Sequence, residues 1–278
     1  MKEIKKQVER NKRIMKRLME HKEYVEKLGY ELVGIFVQGS QNYHLDIYDE
    51  DYMSDVDTKA IVLPTFADFI NGKEPISTTI ILGNNEHIDI KDMRVMFEIL
   101  KKSNVNFLEI LFTEFYYLNP KYALEFEVLQ RYAESLAFAN KKALLNAICG
   151  MSMQKYVALK HPYPTILDKI EKYGYDPKQL HHIVRLNQFI KRITDGEMFG
   201  SALTAFDRDK LNSIKKGGIP LKDAEEEAKT LNEETHSIKE KYFEENELVE
   251  DEDVYNLYKQ CKTQILKKWF KEELNKGE

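Results

Sequence analysis

Two short stretches of this chain have residue types and spacing that could do chemistry. In Phe36-Val37-Gln38-Gly39-Ser40 an apolar run ends in Gly-Ser, and fourteen residues later Ser54-Asp55-Val56-Asp57 places two aspartates at i and i+2. If the second stretch opens a strand, the period of two puts both carboxylates on one face of a sheet. Two carboxylates held together repel unless a cation lies between them. Oxygen-only donors of this kind suit Mg²⁺, with Mn²⁺ as the alternative, and Mg²⁺ typically takes one or two carboxylates and completes its shell with substrate phosphates. Gly39 would let the backbone approach a triphosphate closely, and Ser40 can donate to a phosphate oxygen. Phosphoryl transfer of this kind uses a further carboxylate. Asp89 in His87-Ile88-Asp89-Ile90 is preferred for it, as an acid flanked by apolar residues on a strand. The competitor, Asp92, is more simply the N-cap of a helix running from Met93 to Lys102.

The elements that must position these residues follow from hydropathy. Ile4, Val8, Met15, Leu18, Met19, Val25 and Leu28 recur near helical spacing, so residues 2–28 read as an amphipathic helix ended by Gly29. Residues 31–39, 55–63, 77–83 and 86–91 read as strands, the last two joined by Asn84-Asn85 as a hairpin. Residues 41–54 read as an exposed loop. Beyond Asp92 the pattern turns helical, with helices expected at about 122–135, 137–160, 177–195, 221–243 and 251–274. Breaks are expected at Pro162-Tyr163-Pro164, at Gly174 to Pro177 and at Gly217 to Pro220. The expected organisation is an α/β domain over residues 1–118 with a mixed, mostly antiparallel sheet, and a helical domain over 119–278, with the boundary near Asn119-Pro120. The active site is expected between them.

Composition narrows the function classes. With 42% hydrophobic and 32% charged residues, the chain has enough apolar content for a sizeable core under a wet surface. Its formal net charge of -5 argues against a general nucleic-acid-coating protein, which is usually basic, although local basic patches remain open to it. Cys149 and Cys261 are far apart and form no CxxC, so neither a zinc knuckle nor a redox motif is expected and a reducing, cytoplasmic setting fits. The charged N-terminus lacks the apolar stretch of a signal peptide, and no apolar run reaches the roughly 20 residues that span a bilayer. There is neither a GxxxxGK[ST] nor a GxGxxG after a strand, so P-loop, kinase and Rossmann readings lack support.

The pattern apolar–Gly-Ser–loop–Asp-x-Asp, with Asp89 on a later strand, resembles the signature of the DNA polymerase β nucleotidyltransferase superfamily. The loop between Ser40 and Asp55 is slightly longer than the common form. The stretch from Asp92 to Phe112 (DMRVMFEILKKSNVNFLEILF) resembles the DLRK…SNP…LEWL block of the RlaP/YcgL-like group of predicted nucleotidyltransferases, with Val105-Asn106 where that block often has Asn-Pro. Residues 175–186 resemble the group's Y-D-x-K-x-x-x-H-x-x-R-L helix, and residues 204–220 its R-x-x-L-x-x-I-R-x-G segment. The likeness spans about residues 30 to 240. It implies an α+β fold of polymerase-β type followed by a helical domain. It also implies transfer of an NMP from an NTP such as ATP, with a link to RNA repair by association.

On these terms Asp55 and Asp57 are expected to bind two Mg²⁺ ions, and Asp89 to complete the metal site and help deprotonate an acceptor hydroxyl. Gly39 and Ser40 are expected to cradle the β- and γ-phosphates. Lys178, His182 and Arg185, at i, i+4 and i+7, share one helix face and form a cationic wall for phosphate. A nucleic-acid end, tRNA or damaged RNA, is the favoured acceptor. A protein hydroxyl is the alternative, and an inactive binding or scaffold protein the third reading. Blander readings stand beside these. The acids Asp46, Asp49, Glu50 and Asp51 faintly suggest a calcium loop, but the central Gly and final Glu of an EF-hand are missing. His181 and His182 are adjacent on a helix, point about 100° apart and cannot chelate together. Asn104, Asn106 and Glu109 read as a structural turn between helices, and the Lys178–Arg185 stripe competes with a plain solvated face.

Overall fold

The computed structural model describes residues 2–49 and 53–275, so Glu50 and Asp51 of the acidic loop lie outside the described residues. The elements run α1 (Lys2–Lys27), β1 (Glu31–Gln38), β2 (Asp57–Leu63), α2 (Phe66–Ile70), β3 (Ser77–Ile81), β4 (His87–Asp92), α3 (Met93–Lys101), α4 (Val105–Leu108), β5 (Tyr116–Leu118), α5 (Ala123–Arg131), α6 (Ala133–Phe138), α7 (Lys141–Ala158), α8 (Leu167–Tyr173), α9 (Pro177–Thr194), α10 (Phe199–Leu203), α11 (Arg208–Lys215), α12 (Leu221–Glu245) and α13 (Glu252–Asn275). The chain forms two compact units. The first holds residues 1–42, 46–139 and 251–278, and the second holds 43–45 and 140–250.

The first unit is built on a mixed five-stranded sheet of order β3-β4-β2-β1-β5. β1 pairs antiparallel with β2 and β5, β3 pairs antiparallel with β4, and the central pair β2–β4 is parallel. The expected hairpin of β3 and β4 is present, with Ile81 opposite His87. β5 has only three residues, too few to announce themselves as a periodic pattern. Gly34 lies beside a bulge in β1, where a Cβ would meet the side chains of Leu118 and Phe36 at 2.9 Å, so a larger residue there would have to displace them.

Alternation gives the sheet two different faces. On one face Leu32, Ile35, Val37, Val56, Ala60, Val62, Ile88 and Ile90 are buried with Ile14, Leu18 and Val25 of α1, forming one core cluster. The other face carries Phe36, stacked 4.8 Å from Phe126 of α5, and the alternate residues of β2 and β4, over which α3 packs. A fully buried large aliphatic side chain contributes about 1.5–3 kcal/mol, so the α1 cluster is a main source of this unit's stability. α13 belongs here as well, burying Tyr255, Tyr258, Ile265 and Trp269 in a unit whose α3, α5 and α6 it packs against.

The division therefore differs from a cut at residues 118–122. The first unit runs on through α6 to residue 139, and the C-terminal helix returns to it. The reason is packing: α5 and α6 bury Phe126, Leu129, Leu136 and Ala137, and the apolar face of α13 needs that surface. The expected helix over 137–160 is likewise two elements, because Asn140 leaves the helical region and its side chain caps α7 by accepting from the Ala143 N–H.

The second unit is helical. α9 is its central element, packed by α7, α11 and α12, with Leu180, Ile183, Leu186 and Ile190 fully buried. A polar seam crosses it, where Asn187 Nδ2 donates to Glu234 Oε2 at 3.0 Å and Ser152 Oγ donates to Asn232 Oδ1 at 3.0 Å. Among the described residues, no helix is long and apolar enough to cross a membrane.

Candidate active site

The Gly-Ser pair forms the exit of β1. Gly39 has φ +84°, a left-handed conformation that opens a single 3₁₀ turn over Gly39–Gln41. Nothing lies within 4 Å of where a Cβ would sit on Gly39, so the requirement for glycine is conformational and the approach to this turn is open. The turn is braced from beneath. Asn42 N–H donates to the Gly39 carbonyl at 3.0 Å, Asn42 Nδ2 to the Val37 carbonyl at 3.0 Å, and Thr113 Oγ1 to Asn42 Oδ1 at 2.7 Å. The Gly39 N–H donates to the buried carboxylate of Glu109 at 3.1 Å. That amide points at a protein acceptor in this arrangement, not at open space.

The Asp-x-Asp stretch begins earlier than its strand. β2 starts at Asp57, and Asp55 lies in the preceding coil, because pairing with β1 begins at the Gln38–Asp57 register position. The alternation nonetheless holds through the coil: Ser54, Val56 and Thr58 are buried, Asp55 is exposed and Asp57 is half-buried. Both carboxylates therefore lie away from α1, as the period of two requires.

This segment is pinned residue by residue. Arg13 donates to the Ser54 carbonyl at 3.0 Å, Gln41 Nε2 to the Asp55 carbonyl at 2.6 Å, and the Val56 N–H to Glu86 Oε1 at 3.2 Å. The Asp57 carboxylate accepts the His87 N–H at 2.8 Å, and His87 Nδ1 lies 3.2 Å from the same oxygen. Gln41 thus ties the Gly-Ser turn directly to the first aspartate.

Glu86 is the hub beneath. It is buried, and it accepts from Arg17 Nε at 2.7 Å, while His21 Nε2 lies 3.1 Å from it and His21 Nδ1 lies 2.9 Å from Thr58 Oγ1. Burial pushes the Glu86 carboxyl up, but hydrogen bonds from His21, Arg17 and the Val56 amide outweigh it and hold the group at about 2. Helix α1 therefore does more than cover the sheet, since its Arg13, Arg17 and His21 reach the backbone around the aspartates directly or through one carboxylate. None of these residues carries a sequence signal for the role. Arg17 and His21 lie 69 and 65 positions from Glu86, Arg13 lies 41 from Ser54, and only the docking of α1 on the sheet joins them.

Asp89 shares the sheet face of Asp57, but in the β2–β4 register its neighbour is Lys59, and position 87 lies opposite Asp57. Its carboxylate is held by Lys59 and by Lys91, the latter at 3.0 Å. Burial raises the Asp89 carboxyl, and the two lysines more than offset this, so it stays below the usual carboxylate range. Such an acid is ionised, as a metal ligand must be, and is a weak base in this arrangement. Lys59 itself is buried, with its ammonium 5.2 Å from the Phe107 ring centroid. Asp92 is fully buried as the N-cap of α3, accepting the Arg94 N–H at 2.8 Å and pairing with the Arg94 guanidinium.

The fit to Mg²⁺ divides accordingly. Asp55 and Asp57 are carboxylates at and just before the start of β2, a donor type suited to an ion that takes the rest of its shell from phosphates and water. A preassembled three-acid cage is not present: among the described residues, no group of three or more His, Cys, Asp or Glu side chains is arranged to hold a metal ion. Asp46 and Asp49 of the acidic loop are paired with Arg10 and Lys6.

In the second unit, Lys178, His182 and Arg185 lie along α9 as the spacing requires, but to different depths. Lys178 is exposed, His182 is intermediate and Arg185 is buried. The Arg185 guanidinium carbon lies 3.9 Å from the centroid of the Tyr43 ring.

No family model matches the chain, and no curated protein matches it. Among solved structures, a nucleotidyltransferase-like protein from Exiguobacterium sibiricum 255-15 is similar at 12% identity, covering 78% of this chain and 72% of its own, with a TM-score of 0.29. A likeness at that level says nothing about chemistry.

Proposed function

We propose that the chain is a nucleotidyltransferase that moves an NMP from an NTP to an acceptor hydroxyl, with release of pyrophosphate. The observation that supports this reading best is the tie between its two motifs. A left-handed Gly39-Ser40 turn and the outward-facing Asp55 and Asp57 are linked through Gln41, and the backbone of residues 54–56 is held at each residue. Preorganised carboxylates next to an open turn are what phosphoryl transfer asks of a protein, because its catalysis is mainly positioning and charge stabilisation.

In this reading Asp55 and Asp57 hold Mg²⁺, which when bound neutralises phosphate charge and acidifies the attacking hydroxyl. Ser40 donates to a phosphate oxygen. Gly39 shapes the turn and allows close approach of the triphosphate. Asp57 is oriented by His87, and Asp55 by Gln41 through its carbonyl. Asp89, which pairs with Lys59 and Lys91, would be the third acid that helps to hold the ion. Lys178, His182 and Arg185 contact a phosphate group within the helical unit. The acceptor is proposed to be an RNA end.

The test is transfer of label from α-labelled NTPs to total RNA or total protein. Asp55→Asn combined with Asp57→Asn is expected to reduce transfer to background with an unchanged melting temperature. Undiminished transfer would refute the reading. Label that resists protease and is released by nuclease supports the RNA acceptor, and the converse makes the acceptor a protein.

A further inference from the structure

We infer that the helical unit contains a metal-independent pocket for a phosphate group, formed by Tyr43, Lys155, Lys178, His181, His182 and Arg185. It deepens the assignment of three of these residues to phosphate contact but stands on this unit alone, whatever Asp55 and Asp57 do.

Unmet demand for an anion is the first observation. Arg185 and His181 are each 4% exposed. Arg185 Nε and Nη1 and both ring nitrogens of His181 are buried without a hydrogen-bond partner. Buried polar groups are almost always satisfied, and a buried cation without an acceptor is among the costliest omissions. The Tyr43 ring explains where the guanidinium sits and leaves its need unmet. Stacking uses the face of the guanidinium, whereas its N–H groups lie in the plane and remain available to an acceptor.

Charge is the second. Burial holds the Lys155 ammonium below its ordinary range, and the nearby charges of Lys178 and Arg185 add to the shift. Burial likewise pushes His181 down to about 3 and His182 well below its ordinary value, with Arg185 contributing to both. The histidines are thus neutral at pH 7, each keeping one N–H donor and one acceptor nitrogen. Asp176 is the carboxylate that acts on Lys155, and both its oxygens are occupied, Oδ1 by the Lys178 N–H at 3.0 Å and Oδ2 by Gln179 Nε2 at 2.9 Å. A chain of net charge -5 therefore gathers Lys155, Lys178 and Arg185 here, with Lys215 also acting on His181, against one committed acid.

The donor set indicates the ligand class. A carboxylate brings one charge and two oxygens, too little for two ammonium groups, a guanidinium and imidazole N–H donors. A phosphate ester brings up to two charges and three terminal oxygens. Among the described residues no group of three or more acids, histidines or cysteines is arranged to hold a metal ion, so binding is expected in its absence.

The test is calorimetric titration of the full chain with inorganic phosphate in EDTA at constant ionic strength, with acetate as the control anion. Saturable binding of one phosphate per chain is expected. Affinity should fall at least about tenfold in Lys155→Gln/Lys178→Gln, two positions outside the buried core, and be unchanged in Asp55→Asn/Asp57→Asn. Arg185→Gln should abolish binding, and if that variant does not fold, the lysine pair still decides. Displacement of phosphate by ATP identifies the ligand as a nucleotide. Displacement by a 5′-phosphorylated oligoribonucleotide, and not by its 5′-hydroxyl form, identifies it as a strand end. No saturable phosphate binding, equal affinity in the lysine double variant, or loss of binding in the aspartate variant would overturn the pocket.

Discussion

Glu86 carries the heaviest burden of any single side chain near the aspartates. Its carboxylate accepts from Arg17 and the Val56 amide and meets His21, so it fixes the backbone between Asp55 and Asp57. Its folded value of about 2 lies below the ordinary 4.5. A carboxylate depressed in this way stabilises the fold fully above about pH 4.5, and the contribution is lost as pH falls toward 2. Glu86→Gln should therefore flatten the acid side of the stability–pH profile. It should also destabilise the fold at pH 7, by less than the loss of a fully buried pair, since Arg17 is partly exposed and keeps Glu20. Chemical denaturation across pH 3 to 7 measures both, and a variant with the wild-type acid profile would show that the network does not hold the fold. Asp89 poses a different question. Under the proposed reaction its loss should slow transfer sharply, so Asp89→Asn is expected to lower kcat at least ~10²-fold with a small change in KM. Wild-type turnover would reduce Asp89 to a structural partner of Lys59 and Lys91.

At the scale of elements, α1 is the piece whose role changes most once it is seen in place. Its apolar spacing marks it as a core helix, and Ile14, Leu18 and Val25 are indeed buried against the sheet. Its polar residues Arg13, Arg17 and His21 look like solvated positions in the sequence and instead reach Ser54, Glu86 and Thr58. Leu18→Ala should cost about 2–5 kcal/mol by leaving a cavity. If α1 also sets the site, turnover of the remaining folded protein should fall as well, measured well below the variant's melting temperature. β2 and β4 show the opposite case, where local pattern is sufficient. Ile88 and Ile90 are buried on one face while His87, Asp89 and Lys91 take the other, as strict alternation demands.

At the scale of the whole molecule, the surprise is α13. Nothing local distinguishes it from the helices of the second unit, yet Trp269, Tyr258 and Ile265 are buried in the first. Truncation after Glu250 should therefore expose apolar surface of the sheet unit, lower its melting temperature by well over 5 °C and increase binding of a hydrophobic dye. An unchanged melt would show that α13 contributes little to that unit.

Some of this protein was decided by sequence alone. Strand alternation, the N-cap at Asp92, the end of α1 at Gly29 and the outward face shared by Asp55 and Asp57 all follow from dihedral preferences and side-chain periodicity. These act over a few residues and need no partner from afar. The mixed sheet with flanking helices and the helical region were legible for the same reason. Tertiary structure alone decided that Glu86 holds Val56, that Glu109 takes the Gly39 amide, that Lys59 holds Asp89, and that the C-terminal helix returns to the first unit. Each of these is a meeting of residues far apart in the chain, fixed by which apolar faces bury one another, and no local periodicity encodes that choice. The Gly39-Ser40 turn and its two aspartates were visible as a motif, and the surroundings that hold them became visible only in the folded chain.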